Sequence, residues 1–245
     1  SIGISEKDLL DKQKRSINRE YISNKLYDYI KAIIVNTKID YIFFYYRGLE
    51  INLKYLKKIQ ELNIPTINMC LDDKNSWEVD FYDGQFSGQK SICNFFNYYW
   101  TSSSTTFCWI KKNGGNPIFM PEGFNADVYK PLNIKKEFDV VFVGSKYGFR
   151  SSFIDKLLSY GIKVKCFGKG WGNELKSDTE INEIFNKSKI ILGMGGIGYN
   201  EEIMNLKGRD FDVPGSGSGL YITSYNPDLA LFFNIGKEIL CYRNE

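Results

Sequence analysis

Ile22, Leu26, Ile30 and Ile33 recur at helical spacing in a polar stretch, so residues 5–35 are expected to form one long amphipathic helix, with Ser5 and Asp8 suited to capping its start. The aromatic and β-branched run 41–46 predicts a buried strand. Leu53, Leu56, Ile59 and Leu62 mark one side of a second helix, and 65–71 (PTINMCL) is strand-like again. Residues 72–89 are polar, aromatic and aperiodic, which predicts an extended loop with room for one helical turn. A strand over 95–100 leads into the Ser/Thr cluster 101–106, suited to cap a helix ending near Gly114 and Gly115. A short strand at 118–120 precedes Pro121-Glu122-Gly123.

The segment 129–136 (YKPLNIKK) is polar and without period, and the domain linker is placed there. Beyond it, strands are expected at 140–143, 164–167, 190–192, 220–223 and 239–242. Helices are expected at 150–160, from the Ser177-x-x-Glu180 capping box to Lys187, at about 201–213 and at 227–234. Alternating strands and helices argue for parallel sheets with helices on both faces. The fold class is therefore α/β, with two Rossmann-like domains, 1–130 and 131–245, facing a cleft. Ligands of such sheets bind beyond the carboxyl ends of the strands.

Composition narrows the chemistry. Thirty-two basic against 29 acidic residues leave a net charge of only +3, which does not suit a nucleic-acid binder; Lys111-Lys112 and Lys135-Lys136 read as solvated faces. The chain has no histidine, which excludes a Ser-His-Asp or Cys-His triad and removes the commonest zinc ligand. Catalysis must rest on carboxylates, Lys/Arg, backbone amides or substrate groups. Cys70, Cys93, Cys108, Cys166 and Cys241 form no CxxC pair, so free thiols in a reducing, cytoplasmic setting are expected. No apolar run reaches the roughly 18 residues of a transmembrane helix.

Two glycine-rich segments compete for a phosphate. Gly193-Met-Gly195-Gly196-Ile-Gly198 fits G-x-G-x-x-G after a strand, the pattern of a dinucleotide site. Its context is poor, because it follows at least two other strands and the next strand ends at Thr223-Ser224 without an acid. The second segment, 205–225, carries Lys207, Arg209 and Asp212 on a helix expected to stop at Pro214, followed by Gly215, Gly217 and Gly219. A glycine-rich turn lets backbone N–H groups approach phosphate oxygens. Arg209 suits a diphosphate and Asp212 the hydroxyls of a ribose. A surface helix followed by a flexible loop accounts for the same residues. Asp72-Asp73 lacks a DxD spacing, so a loop-start or acceptor-hydroxyl role is preferred to a metal there. For Trp171, packing is preferred to stacking on a ligand.

The run 206–214 (LKGRDFDVP), then 225–229 (YNPDL), and 236–239 (GKEI) with Tyr242 form a long ordered pattern. Upstream lie Val143-Gly144 with Arg150, Phe167-Gly168-Lys169-Gly170-Trp171, Pro121-Glu122-Gly123 and Tyr129-Lys130-Pro131. Together these resemble the spore-maturation (CgeB-like) glycosyltransferases, from about Tyr41 to the end of the chain and most specifically over 204–242. The resemblance implies a GT-B fold, with a nucleotide-sugar donor held by the C-terminal domain and a glycan, protein or small-molecule acceptor by the N-terminal one. It implies that Asp212 stands where related retaining enzymes place a glutamate on the nucleotide ribose. Arg150, Lys169 and Arg209 are the expected catalytic cations, neutralising the departing diphosphate without a metal. Lys207, Gly144, Gly215 and Gly217 complete the expected donor-binding set, and no cofactor is expected beyond the donor as substrate. A retaining front-face reaction needs no enzymic base, so the lack of histidine is compatible with it. Asp212 in place of glutamate, the glycine–serine run 215–219 and Ser224 are departures from the family pattern. The resemblance also implies that the first strand of the N-terminal domain and the closing helices of the C-terminal one are missing from the chain. The alternatives are a noncatalytic sugar- or nucleotide-binding module of the same fold and a nicotinamide-dependent oxidoreductase using 193–198.

Overall fold

A computed structural model describes residues 6–174, 177–197 and 200–243, and the chain divides into two compact units, Ser1–Met120 and Pro121–Glu245. In the first unit the long helix is broken at Asp11 into α1 (Glu6–Leu10) and α2 (Lys12–Ile34). The Asp11 carbonyl accepts from the amides of Lys14 and Arg15, so a turn restarts the helix; the expected cap Ser5 lies outside the described residues. β1 (Ile42–Phe44), α3 (Leu53–Gln60) and β2 (Thr66–Cys70) follow. The expected loop 72–89 instead contains a hairpin, β3 (Phe81–Tyr82) and β4 (Gln85–Phe86), turned by Asp83 and Gly84 at φ +52° and +77°. That left-handed pair is the Asp-Gly signature of a two-residue hairpin. β5 (Tyr98–Thr101), α4 (Ser104–Lys112) and β6 (Pro117–Phe119) complete the unit, with the Ser103 hydroxyl capping α4 through the Thr106 amide.

The strands pair in the order β1-β2-β5-β6, all parallel. Right-handed crossovers between strands laid down in one direction place their helices on one face. Ile30, Leu56, Ile59 and Ile110 accordingly share a core with Phe44 and Tyr99, whereas Phe43, Tyr98 and Ile118, on the opposite side of the pleat, are exposed. The expectation of helices on both faces fails for this unit.

The second unit begins ahead of the expected boundary at 130. Val128 and Tyr129 already pack in its core, and the segment expected as a linker is pinned to α6 (Asp178–Asn186). There Asn182 and Asn186 bond the backbone of Lys130 and Leu132. β7 (Phe138–Val143), α5 (Arg150–Ser159), β8 (Lys165–Phe167) and β9 (Ser188–Leu192) surround α6 in the chain. The helix expected over 201–213 is in fact two elements. Gly196–Ile197 (β10) and Asn200–Met204 (β11) pair as an antiparallel ribbon, and α7 spans Arg209–Ser216. β12 (Leu220–Ser224) and β13 (Leu240–Tyr242) close the sheet, and the stretch expected as a helix at 227–234 is a short 3-10 turn, Pro227–Leu231.

The order is β8-β7-β9-β12-β13, all parallel, so the direction of winding reverses at β7. Helices therefore cover both faces. Phe185 of α6 and Val213 of α7 pack with Val141, Val143, Ile191 and Tyr221, and α5 packs through Phe153, Ile154 and Leu157 on Phe142 and Leu192. Both units are mixed α/β layers built on parallel sheets, as the alternating pattern requires.

Candidate functional site

In a doubly wound sheet the strand on which the winding reverses leaves a crevice at its carboxyl end. In the second unit that crevice lies between β7 and β9. α7 runs antiparallel to the strands, so its first residue, Arg209, arrives at this edge. Arg209 Nη1 donates to the carbonyl of Val143 (2.7 Å) and Nη2 to that of Met194 (3.4 Å), so one side chain spans the ends of both strands. Its Cζ lies 5.1 Å from the ring centre of Phe142, and its Nε is buried without a partner. Gly144 lies beneath it, and a Cβ there would stand 2.5 Å from Arg209 Nη1, so the guanidinium would have to shift.

The start of α7 is fixed by a residue that the sequence reading passed over. Asp210 is buried; its Oδ2 accepts from the Lys207 amide (2.8 Å) and its Oδ1 from the Tyr221 hydroxyl (2.6 Å) and, more weakly, from Thr223. Burial raises its pKa against these hydrogen bonds. The available signal was an acid in the first turn of a helix, where backbone amides lack partners. No side chain caps the turn from Gly208.

Asp212, one turn along, is half-buried, and its pKa is pushed up to about 7, chiefly by burial and then by the neighbouring carboxylates of Asp178 and Glu122, against the pull of Arg209. A Cβ on Gly208 would meet Glu122 Oε2 at 2.9 Å and Asp212 Oδ2 at 3.5 Å, so the two carboxylates crowd the same glycine. Glu122 thus joins the group around the start of α7.

The other expected residues are distributed more widely. Arg150 is 4% exposed; it donates to the Ser145 carbonyl (2.8 Å) and stacks on Tyr147 (4.1 Å), which places it behind the loop after β7. Lys169 is exposed in the loop after β8, where its carbonyl accepts from the Lys146 amide (2.8 Å). The two loops are tied together by Trp171, whose Nε1 donates to the Gly144 carbonyl (2.9 Å), and its ring stands edge-on to Phe142.

The expected helix end at Pro214 requires a correction. α7 does not stop at Pro214 but continues to Ser216, and Gly217 is its left-handed C-cap (φ +58°). Gly215 packs against the Phe124 ring. Lys136 donates to the Ser218 carbonyl just before β7 begins, and a Cβ on Gly219 would strike the Ser188 carbonyl at the start of β9. This turn therefore lies at the amino edge of the sheet, away from the strand ends that carry Arg209. A helix presents N–H groups at its start, and in α7 that start, with Arg209, lies at the strand ends, whereas the turn 215–219 does not.

The competing motif is engaged in the fold. Gly193 N–H donates to the Ile222 carbonyl and Gly195 N–H to Ser224 Oγ, while Tyr242 receives the Ser224 hydroxyl proton and donates to the Gly193 carbonyl. Gly198 lies outside the described residues. In the first unit the adjacent acids diverge: Asp72 is exposed, whereas Asp73 is fully buried, bonded to Thr101, with a pKa raised to about 7 by burial. No helix among the described residues is long and apolar enough to cross a membrane.

Against this geometry, no curated protein matches the chain. Residues 150–245, which include Arg150, Lys169, Arg209 and Asp212, match a family model described as glycosyl transferase-like, and this similarity supports a glycosyltransferase assignment for the unit that carries the crevice.

Proposed function

We propose that the carboxyl edge of the second sheet binds a nucleoside diphosphate sugar and that the protein transfers the sugar to an acceptor hydroxyl, in the manner of the spore-maturation family it resembles. The observation that carries this reading is Arg209, held across the ends of β7 and β9 at the start of α7. A fixed cation at the start of a helix is suited to the diphosphate, and its charge is worth most when the glycosyl C–O bond breaks and the leaving group gains negative charge. Lys207 and the exposed Lys169 add positive charge along the same edge. Arg150 acts from behind, by holding the loop that contains Gly144. Asp212, when ionised, accepts from the ribose hydroxyls. In a metal-independent, retaining reaction the acceptor proton leaves on the departing phosphate oxygen, so no protein base is needed. A hexosyl donor and a cytoplasmic setting belong to this same reading.

Calorimetric titration with UDP, GDP and NAD is the test. Binding of UDP or GDP that disappears in Arg209→Ala is expected; NAD binding with no response to UDP or GDP would refute the assignment. A binding module without transfer is the second reading, favoured by the commitment of the Arg209 guanidinium to two backbone carbonyls. Donor hydrolysis or transfer separates it from the enzyme.

A further inference from the structure

The first unit contains a separate cavity of about 630 Å³, lined by Trp77, Trp109, Lys74, Lys112 and the ion pair Lys90–Glu78, with Asn75 and Asn113 alongside. This volume lies within the range of small-molecule sites. The two indoles stand 5.6 Å apart at 47°, with Trp77 buried and Trp109 half-buried against the core, so their positions are fixed by packing. We propose that this cavity is a binding site for a saccharide ring bearing a carboxylate, independent of the donor crevice in the second unit. The half-buried Trp109 indole, backed by Trp77, offers an apolar surface to the C–H face of a pyranose, and the two asparagine amides together with Glu78 supply partners for its hydroxyls. Three lysines against one glutamate give the lining a surplus of positive charge, which selects an acidic sugar over a neutral one. Lys112 and Asn113 enter at the end of α4, where the Asn113 side chain is anchored to the Trp109 carbonyl, so the polar and aromatic parts of the lining form one rigid piece.

Titration of the full chain with tetragalacturonate, maltotetraose and UDP, followed by tryptophan fluorescence and calorimetry, tests the site. The acidic oligosaccharide is expected to bind at least tenfold more tightly than the neutral one. Trp109→Ala is expected to abolish this binding, Trp109→Phe to retain part of it, and Lys112→Gln to weaken it severalfold and flatten its salt dependence. Lys165→Gln, on the second unit, is expected to leave it unchanged. Equal binding of the two oligosaccharides, binding of neither, or no effect of Trp109→Phe and Lys112→Gln would overturn the proposal. UDP binding that is lost in Lys112→Gln would overturn it in favour of a nucleotide site. Should Trp109→Ala fail to fold, the Trp109→Phe and Lys112→Gln titrations decide alone. Because the donor crevice lies in the other unit, loss of UDP binding in Arg209→Ala with tetragalacturonate binding intact separates this proposal from the preceding one.

Discussion

Arg209 Nη1 lies 2.7 Å from the carbonyl oxygen of Val143, so the first residue of α7 seals the carboxyl end of the strand on which the sheet reverses. A guanidinium in that position does two things at once. It satisfies a strand-end carbonyl, and it fixes a positive charge at the carboxyl edge of the sheet.

Arg209→Ala removes both. Loss of a charge-assisted donor to two backbone carbonyls is expected to cost about 2–3 kcal/mol of stability, measured by urea unfolding, and to abolish UDP or GDP binding. Arg209→Lys restores the charge without the fork, so it is expected to recover part of the stability while binding remains at least tenfold weakened.

Gly144→Ala addresses the same contact from below. The new methyl would stand 2.5 Å from Nη1 and 3.0 Å from the Phe142 ring, so the guanidinium must move. Destabilisation of about 1–3 kcal/mol is expected, with loss of nucleotide binding as in Arg209→Ala. Unchanged binding would show that the position of the guanidinium is immaterial to the ligand.

Asp210→Ala removes the acceptor of the buried Tyr221 hydroxyl and of the part-buried Lys207 amide. A loss of about 2–4 kcal/mol is expected in denaturant unfolding, with a smaller loss for Asp210→Asn.

Asp212 sets a pH dependence. Its folded pKa of about 7 lies above that of an unfolded aspartate, so the folded state holds a proton that the unfolded state has released. Stability from this group is thus full below the ordinary carboxylate range and falls as pH rises towards 7. Asp212→Asn is expected to stabilise the protein at pH 8 by on the order of 1–2 kcal/mol, and not at pH 4, in parallel thermal unfolding series. Donor binding is expected to run the other way, strengthening between pH 6 and 8 as the carboxylate forms, with that slope absent in Asp212→Asn.

Lys169 is exposed, so Lys169→Ala is expected to change stability by less than about 0.5 kcal/mol. Nucleotide affinity is nevertheless expected to fall and to lose part of its salt dependence, read by titration at two ionic strengths.

Local patterns fixed the α/β class and most elements in this chain. Ser103 of the expected Ser/Thr cluster and Ser177 of the expected capping box cap their helices, and the apolar runs at β2, β7 and β9 lie where their composition puts them. The Asp83-Gly84 turn carries local hairpin chemistry, but the surrounding polarity and lack of period read as a loop and hid it. The ribbon of Gly196–Ile197 with Asn200–Met204 was not legible, because pairing between the two segments and not their own period makes them strands.

The site divides in the same way. Charge and hydrogen-bonding capacity made Arg209 and Asp212 candidates, and the family resemblance of 206–214 set them above a plain surface helix. Tertiary structure decided which end of α7 meets the strand ends: the end with Arg209, and not the turn with Gly215 and Gly217. It also decided that Arg150 is a buried support and that Asp210 anchors the helix. These outcomes depend on strand order and helix direction, which are set by contacts between residues far apart in the chain, and local sequence carries no record of them.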